Sequence, residues 1–423
     1  MSYHSPGEYL TQPGRVGVSC MQSTALPGVG DSVFGPMHAD SHHLYVHVPF
    51  CRLVCAYCDF VTVGGRARDI PGYVDALVRE LSLRPAVGEL RTIYFGGGTP
   101  SLLTSVQVGA MIETAKDRWK SVDLDEVTLE ANPSSRESPD WSGLLIAGVT
   151  RISLGVQSLR DAELEALARG HTADEALTAF GGARVAGFDN ISIDLIYGIP
   201  GQSLDDWRDG LARVVALEPD HVSCYALQLA LAPDEWAAPP RPGALRWRKR
   251  TIERQDDGLA SEQYRLAEDV LEAAGYRHYE LSSWARPGRE SRHNAAYWAR
   301  RPYTGIGAGA HSYDGDARRS WNERDLDRYL AIVEAGERPV AGSEELDAET
   351  LAFEAMALGL RRIDGVSRTA FKEEFATDPA ELYAKALAET CHDGLIEVSD
   401  DVIRLSAGGR LLASEVLVAF LAG

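Results

Sequence analysis

From Leu44 to Leu281 the apolar residues fall into short runs rich in β-branched and aromatic side chains, separated by longer stretches of helical period. The runs LYVHV, TIYF, EVTLEA, RISLGV, NISIDLI, HVSCYAL and YRHYEL each have the length and composition of a strand. Between them, Leu204, Trp207, Leu211, Val214 and Val215 share one helical face, and Ser203 with Asp206 forms a capping-box-like start. A second helix is expected from about Glu262 to Ala274, stopped by Gly275. Strand and helix alternating in this way predict a parallel sheet, either a (β/α) barrel or a doubly wound sheet. Polar and Gly-rich segments follow at least five of the runs. A barrel gathers all its strand ends at one mouth, whereas an open sheet binds mainly at a switch point. The expected class is therefore α/β, with a partial or complete parallel TIM-like barrel over residues 41–320.

The flanks read differently. Residues 1–40 are rich in Gly, Pro, Ser and His without a period, as in a flexible arm. Residues 321–423 turn mostly helical and close on GLIEV, an acidic turn at Ser399–Asp401, VIRL and a last helix, the outline of a winged-helix-like cap. Ala232–Gln255, with RWRKR at 246–250, reads as a surface loop whose cations would at most steer an anionic ligand.

Composition narrows the function. At 45% apolar and 25% charged residues the chain of 423 is ordinary globular protein. Its 42 Lys+Arg stand against 62 Asp+Glu, a net charge of -20, which argues against nucleic acid as the main partner, since that binding neutralises phosphates with cations. The cap, where Asp and Glu outnumber the cations, is accordingly read as a lid or packing unit. There is no secretory signal and no apolar run long enough to span a bilayer, so a cytoplasmic protein is expected.

Of six cysteines, Cys20, Cys224 and Cys391 are isolated and read as inert thiols. Cys51, Cys55 and Cys58 stand together in VHVPFCRLVCAYCDF, directly after a strand, a clustering that in a reducing compartment points to metal or redox chemistry. Three thiolates on one loop can wrap a four-iron cluster and leave one iron open. A structural zinc site completed by a histidine such as His47 is the alternative, although zinc sites usually draw on a second cysteine pair, which is missing here. Later strands end in YFGGGTPS (Tyr94–Ser101), in Glu130-Ala-Asn-Pro, in Gly155-Val-Gln157-Ser and in Asp194-Leu-Ile-Tyr-Gly-Ile-Pro. Glycines admit a ligand close to the backbone, and a Glu, a Gln and an Asp around one mouth can hold amino, hydroxyl or adenine groups.

Together, YVHVPFC-x3-C-x2-C, GGGTPS, LEANP, GVQS, DLIYGIPGQ and GIGAGAHS resemble the radical S-adenosylmethionine (SAM) family of oxygen-independent coproporphyrinogen III oxidases and HemW-type haem chaperones, from Leu44 to the C-terminus. The resemblance implies a barrel with a [4Fe–4S] cluster on Cys51, Cys55 and Cys58, and SAM chelating the unique iron through its amino and carboxylate groups. Tyr45, Gly97 and Glu130 match positions contacting that SAM. Tyr57, Gly98, Thr99, Gln157, Arg169 and Asp194 match positions assigned to a second SAM in the oxidase branch. With an electron donor, reduction of such a cluster would cleave SAM to a 5′-deoxyadenosyl radical.

Two features separate the branches. The oxidases resemble Cys-x3-Cys-x2-Cys-x-Cys, whereas here Phe60 stands at the last position. Arg292-His293-Asn294-Ala-Ala-Tyr297-Trp298 matches the HNxxYW motif of the chaperone branch, which implies haem binding and transfer to an acceptor protein rather than decarboxylation of coproporphyrinogen III to protoporphyrinogen IX. His293 is the expected haem ligand and His311 its rival. Tyr297 and Trp298 can wall a porphyrin, and Arg289, Arg292, Arg300 and Arg301 suit its propionates.

Overall fold

The computed structural model describes residues 40–134, 137, 139–229 and 243–421. The expected arm, Asp40 excepted, lies outside the described residues, as do Cys20 and residues 232–242 of the expected loop. In chain order come β1 (Ser41–Val48), the two-residue β2 (Phe50–Cys51) and β3 (Val63–Gly64), α1 (Ile70–Leu83), β4 (Glu89–Gly97), α2 (Ser105–Trp119), β5 (Glu126–Ala131), α3 (Trp141–Ile146), β6 (Arg151–Gln157), α4 (Asp161–Ala166), α5 (Ala173–Ala186), β7 (Ile191–Tyr197), α6 (Leu204–Ala216) and β8 (His221–Ala226). There follow α7 (Ala244–Ile252), α8 (Asp257–Ala273), β9 (Arg277–Glu280), β10 (Ser283–Ala285), α9 (Arg292–Trp298), β11 (Tyr303–Ile306), β12 (His311–Tyr313), β13 (Arg318–Asn322), α10 (Leu326–Glu334) and β14 (Val340–Glu345).

The large sheet runs β14-β13-β12-β11-β1-β4-β5-β6-β7-β8-β10-β9. From β11 to β8 every neighbour is parallel, as expected for strands linked by crossover helices. The sheet does not close on itself: β8 pairs antiparallel with β10, and β11 with β12, which makes the barrel partial. The run YRHYEL supplies β9, an antiparallel edge strand rather than a parallel one. Ile93, Leu129, Leu154 and Ile193 are fully buried between the sheet and its helices, the two-sided covering that makes parallel strands continuously apolar.

Helix α6 begins where the pattern placed it, with the Ser203 hydroxyl accepting from the Asp206 amide and the Asp206 carboxylate accepting in return. Two further expectations fail. RWRKR lies in α7, not in a loop. The boundary expected near residue 320 falls inside the sheet, because β13 pairs with both β12 and β14.

Residues from Ala352 onward form a separate compact unit. It takes in most of α11 (Ala348–Gly359), then β15 (Val366–Ser367), α12 (Arg368–Phe375), α13 (Pro379–Leu382), α14 (Ala384–His392), β16 (Ile396–Val398), β17 (Val402–Leu405), α15 (Ala407–Leu411) and α16 (Ala413–Leu421). Its three-stranded sheet, ordered β15-β17-β16, with a β16–β17 hairpin, gives the winged outline.

Candidate functional site

The parallel strands β1 and β4 to β8 are buried along most of their length, and each has a residue midway or later that is not buried: Tyr45, Tyr94, Glu130, Gly155, Asp194 and Tyr225. Side chains of a parallel barrel alternate between lumen and helix layer, so these six mark the open interior. All but Gly155 carry polar groups, and these converge on Glu130 and Asp194. The Glu130 carboxylate accepts from the Tyr94 hydroxyl at 2.8 Å and the Gly97 amide at 3.1 Å. Burial lifts Glu130 to about 7, with Asp194 adding to the rise and the two donors opposing it. Asp194 is raised by burial against hydrogen bonds from Ser153, Ser223 and Ser192.

The cysteine loop spans this mouth. Its base is pinched by the parallel pairing of β2 with β3, Phe50 opposite Val63 and Cys51 opposite Gly64. Each sulfur has a donor. The Thr99 hydroxyl reaches Cys51 Sγ at 3.6 Å, Arg169 reaches Cys55 Sγ at 3.3 Å, and Cys58 takes the Phe60 amide and the Thr62 hydroxyl. Burial pushes the Cys51 thiol up to about 12 and the Cys58 thiol up to about 11, so these buried thiols hold their protons until iron displaces them. Among the described residues no three His, Cys, Asp or Glu converge at the spacing of a single bound ion, and a cluster asks only that its thiolates reach separate corners. His47, the fourth ligand of the zinc alternative, is engaged at both nitrogens. Nε2 lies 2.7 Å from the Val61 carbonyl and Nδ1 3.1 Å from the Tyr45 hydroxyl. The carbonyl only accepts, so Nε2 carries the proton and Nδ1 accepts from tyrosine. The residues present fit an iron–sulfur cluster.

The glycine run serves the protein as much as any ligand. A Cβ at Gly96 would meet Tyr94 and Tyr45, one at Gly97 the His47 ring at 2.5 Å, and one at Gly98 the Pro49 and Phe50 backbone at 2.7 Å. Gly97 also has φ +114°, a conformation that disfavours side chains. In GIGAGAHS, a Cβ at Gly309 would strike Val61 at 2.8 Å. This segment is tied to α1 by the Gly307 amide on Glu80 at 2.8 Å and the Ala308 amide on the Tyr73 hydroxyl at 3.0 Å.

Arg169 joins several predicted positions. It lies 3.3 Å from the Tyr57 hydroxyl, 3.0 Å from Asn132 Oδ1 and 2.8 Å from the Gly155 carbonyl. Gln157 ends β6 with φ 67°, a left-handed conformation that is uncommon outside glycine and concentrates at functional sites. Gln202, in GIPGQ, is instead buried against Glu163 and Gln263, a packing role.

His293 stands apart from the cysteine loop. It is fully buried, with Nδ1 2.7 Å from the Thr92 hydroxyl and Nε2 2.9 Å from the Tyr297 hydroxyl. Its ring tilts against Tyr94 at 5.1 Å between centroids. With both nitrogens engaged it presents no open lone pair to an iron in this arrangement. His311 is exposed on β12, tilted 6.1 Å from Trp321. The arginines expected to greet propionates have partners of their own. Arg289 pairs with Asp189 at 3.3 Å, Arg292 approaches Asp125 at 4.0 Å, and Arg300 reaches the Tyr313 hydroxyl at 3.4 Å.

Sequence reasoning missed Arg248. From α7 its buried guanidinium reaches the Ala56 carbonyl at 2.8 Å, the Cys58 carbonyl at 2.9 Å and Asp59 at 2.6 Å. Reading RWRKR as part of a surface loop concealed it. The available signal was the spacing of Ala244, Arg248 and Thr251, which share the buried face.

A partial parallel barrel with a three-cysteine loop and a glycine-lined mouth defines a radical SAM protein, and the chain matches the Radical SAM superfamily over residues 45–213 and the HemN C-terminal domain over residues 346–412. Similar proteins include the heme chaperone HemW of Bacillus subtilis strain 168, 33% identical over 89% of this chain and 98% of that protein. The heme chaperone HemW of Mycobacterium tuberculosis strain H37Rv is 36% identical, over 93% of this chain and 96% of its own. Among solved structures, coproporphyrinogen III oxidase (HemN) from Escherichia coli superposes with TM-score 0.76 at 24% identity, covering 90% of each chain, a likeness of fold. The chain belongs to the HemW heme chaperone family.

Proposed function

We propose that this protein binds haem, carries a SAM-ligated [4Fe–4S] cluster on Cys51, Cys55 and Cys58, and passes haem to an acceptor protein in the cytoplasm. The observation that carries the cluster is the donor placed against each of the three sulfurs, because thiolate ligands are held and tuned by such hydrogen bonds. When bound, the cluster supplies an open iron that SAM can chelate, together with one-electron chemistry if an electron donor reduces it. Tyr45, Gly97 and Glu130 line the inner side of that position. Tyr57, Gly98, Thr99, Gln157, Arg169 and Asp194 are the residues for a second SAM, or for a ligand that takes its place. The name shared by the relatives supports haem as cargo, and the missing cysteine at Phe60 favours carriage over oxidation.

For the haem iron, exposed His311 is the readier ligand. His293 ligates only if its bonds to Thr92 and Tyr297 open. Anaerobic reconstitution should give four irons per chain and negligible zinc, followed by stoichiometric haem binding with a Soret band. Turnover of coproporphyrinogen III with SAM and reductant, without haem binding, overturns the proposal. His311→Ala should lose the Soret shift and His293→Ala keep it; the reverse pattern assigns iron to His293 and makes network opening part of binding.

A further inference from the structure

We propose that Arg248 is a positioning residue for the cluster: from α7 it fixes the Ala56 and Cys58 carbonyls and the Asp59 carboxylate, holding the cysteine loop in the shape that seats the iron. The inference rests on the cluster reading above and names the part of the chain that makes the loop competent.

Within the loop the Cys58 sulfur takes the Phe60 amide and the Thr62 hydroxyl. The loop's ends are pinned by the β2–β3 pairing and by the Val63 amide on the Pro49 carbonyl at 2.8 Å, while inside it the Cys58 amide meets the Cys55 carbonyl at 3.3 Å. The stretch from Ala56 to Asp59, which carries the third cysteine, is also held from outside. Nε of Arg248 takes Ala56, Nη2 takes Cys58 and Nη1 takes Asp59, so every nitrogen of the planar fork faces this one segment. The Arg248 side chain is 1% exposed, and a cation so desolvated is stable only where its donors are met. The neighbouring Arg246, Lys249 and Arg250 are exposed; of these cations only Arg248 turns inward. The helix is itself anchored by the Trp247 indole on the Ala166 carbonyl at 3.1 Å. A cluster on three thiolates is anionic, and a buried guanidinium beside one ligand favours the reduced, more negative state, raising the potential.

Arg248→Met, Arg248→Lys and Asp59→Asn in the full chain test this. In the metal-free protein, hydrogen exchange at residues 55–60 should quicken about 10-fold in Arg248→Met, as when a local restraint is lost, with less change in Arg248→Lys and least in Asp59→Asn. After anaerobic reconstitution Arg248→Met should shed most of its iron on desalting. Arg248→Lys should retain it at a potential near that of the unaltered protein, and any cluster left in Arg248→Met should reduce at lower potential with altered electron paramagnetic resonance. If Arg248→Met does not fold, the other two variants decide by the same order of effects. Unchanged exchange, iron and potential across the series overturn the proposal. If the unaltered protein itself fails to take four irons, the cluster reading falls, while the metal-free exchange series still decides whether Arg248 holds the loop.

Discussion

Glu130 is a buried carboxylate in the barrel mouth, proposed above to meet SAM. Burial sets it near 7, so at pH 6 it is mostly protonated. SAM is a sulfonium with an amino group and favours the carboxylate, so binding should release a proton below neutrality. SAM affinity should rise as pH climbs through about 7 and level off above it, by about one decade per unit on the acid side. Calorimetry in buffers of different ionisation enthalpy would show the proton. Glu130→Gln should bind more weakly with a flat profile, and a slope persisting in that variant would remove Glu130 from the site. The three cysteines stand out in the sequence by type and spacing, whereas Glu130 draws notice only as one of several polar groups at successive strand ends. The condition of His293 was not legible, because the hydroxyls that engage it come from Thr92 on β4 and from Tyr297 one helical turn on. Neither contact is written in the HNxxYW spacing as a hydrogen bond.

Among the elements, α1 and the GIGAGAHS segment depend on one carboxylate. Glu80 is fully buried and accepts from Arg84 at 2.6 Å, Asn322 at 2.8 Å, Tyr329 at 2.7 Å and the Gly307 amide at 2.8 Å. Glu80→Gln leaves Arg84 buried without its counter-charge and should cost on the order of 3 kcal/mol in chemical denaturation. Because Gly309 packs on Val61, reconstituted Glu80→Gln should also lose iron sooner on heating; full stability would mean that the network is slack. The start of α6 was legible because a capping box is local. The place of α7 was not, since Arg248 meets the loop across separations of 192 and 190 residues. Within the helix the signal is slight: Arg248 shares a face with Ala244 and Thr251.

For the molecule as a whole, the alternation of strand and helix was enough to give the parallel strands from β1 through β4 to β8, yet not β11 or the margins. Antiparallel additions such as β12–β14 come from short runs whose pairing is a tertiary outcome, which is why the expected boundary near 320 cut through the sheet. The winged outline of residues 352–421 invites a nucleic-acid reading that the net charge of -20 opposes. The full chain should give no mobility shift with duplex DNA at about 0.15 M salt, where phosphate contacts must supply the binding; a salt-sensitive shift would reverse that view. The reach of Arg248 also orders events during synthesis. A nascent chain that has exposed all three cysteines still lacks the guanidinium that shapes their loop for roughly another 190 residues, a delay on the order of 10 to 40 s at ordinary elongation rates. Iron offered in that interval meets a slack loop, so faithful maturation belongs to the finished polypeptide, and truncation before α7 should yield thiols that scavenge metal without building the cofactor.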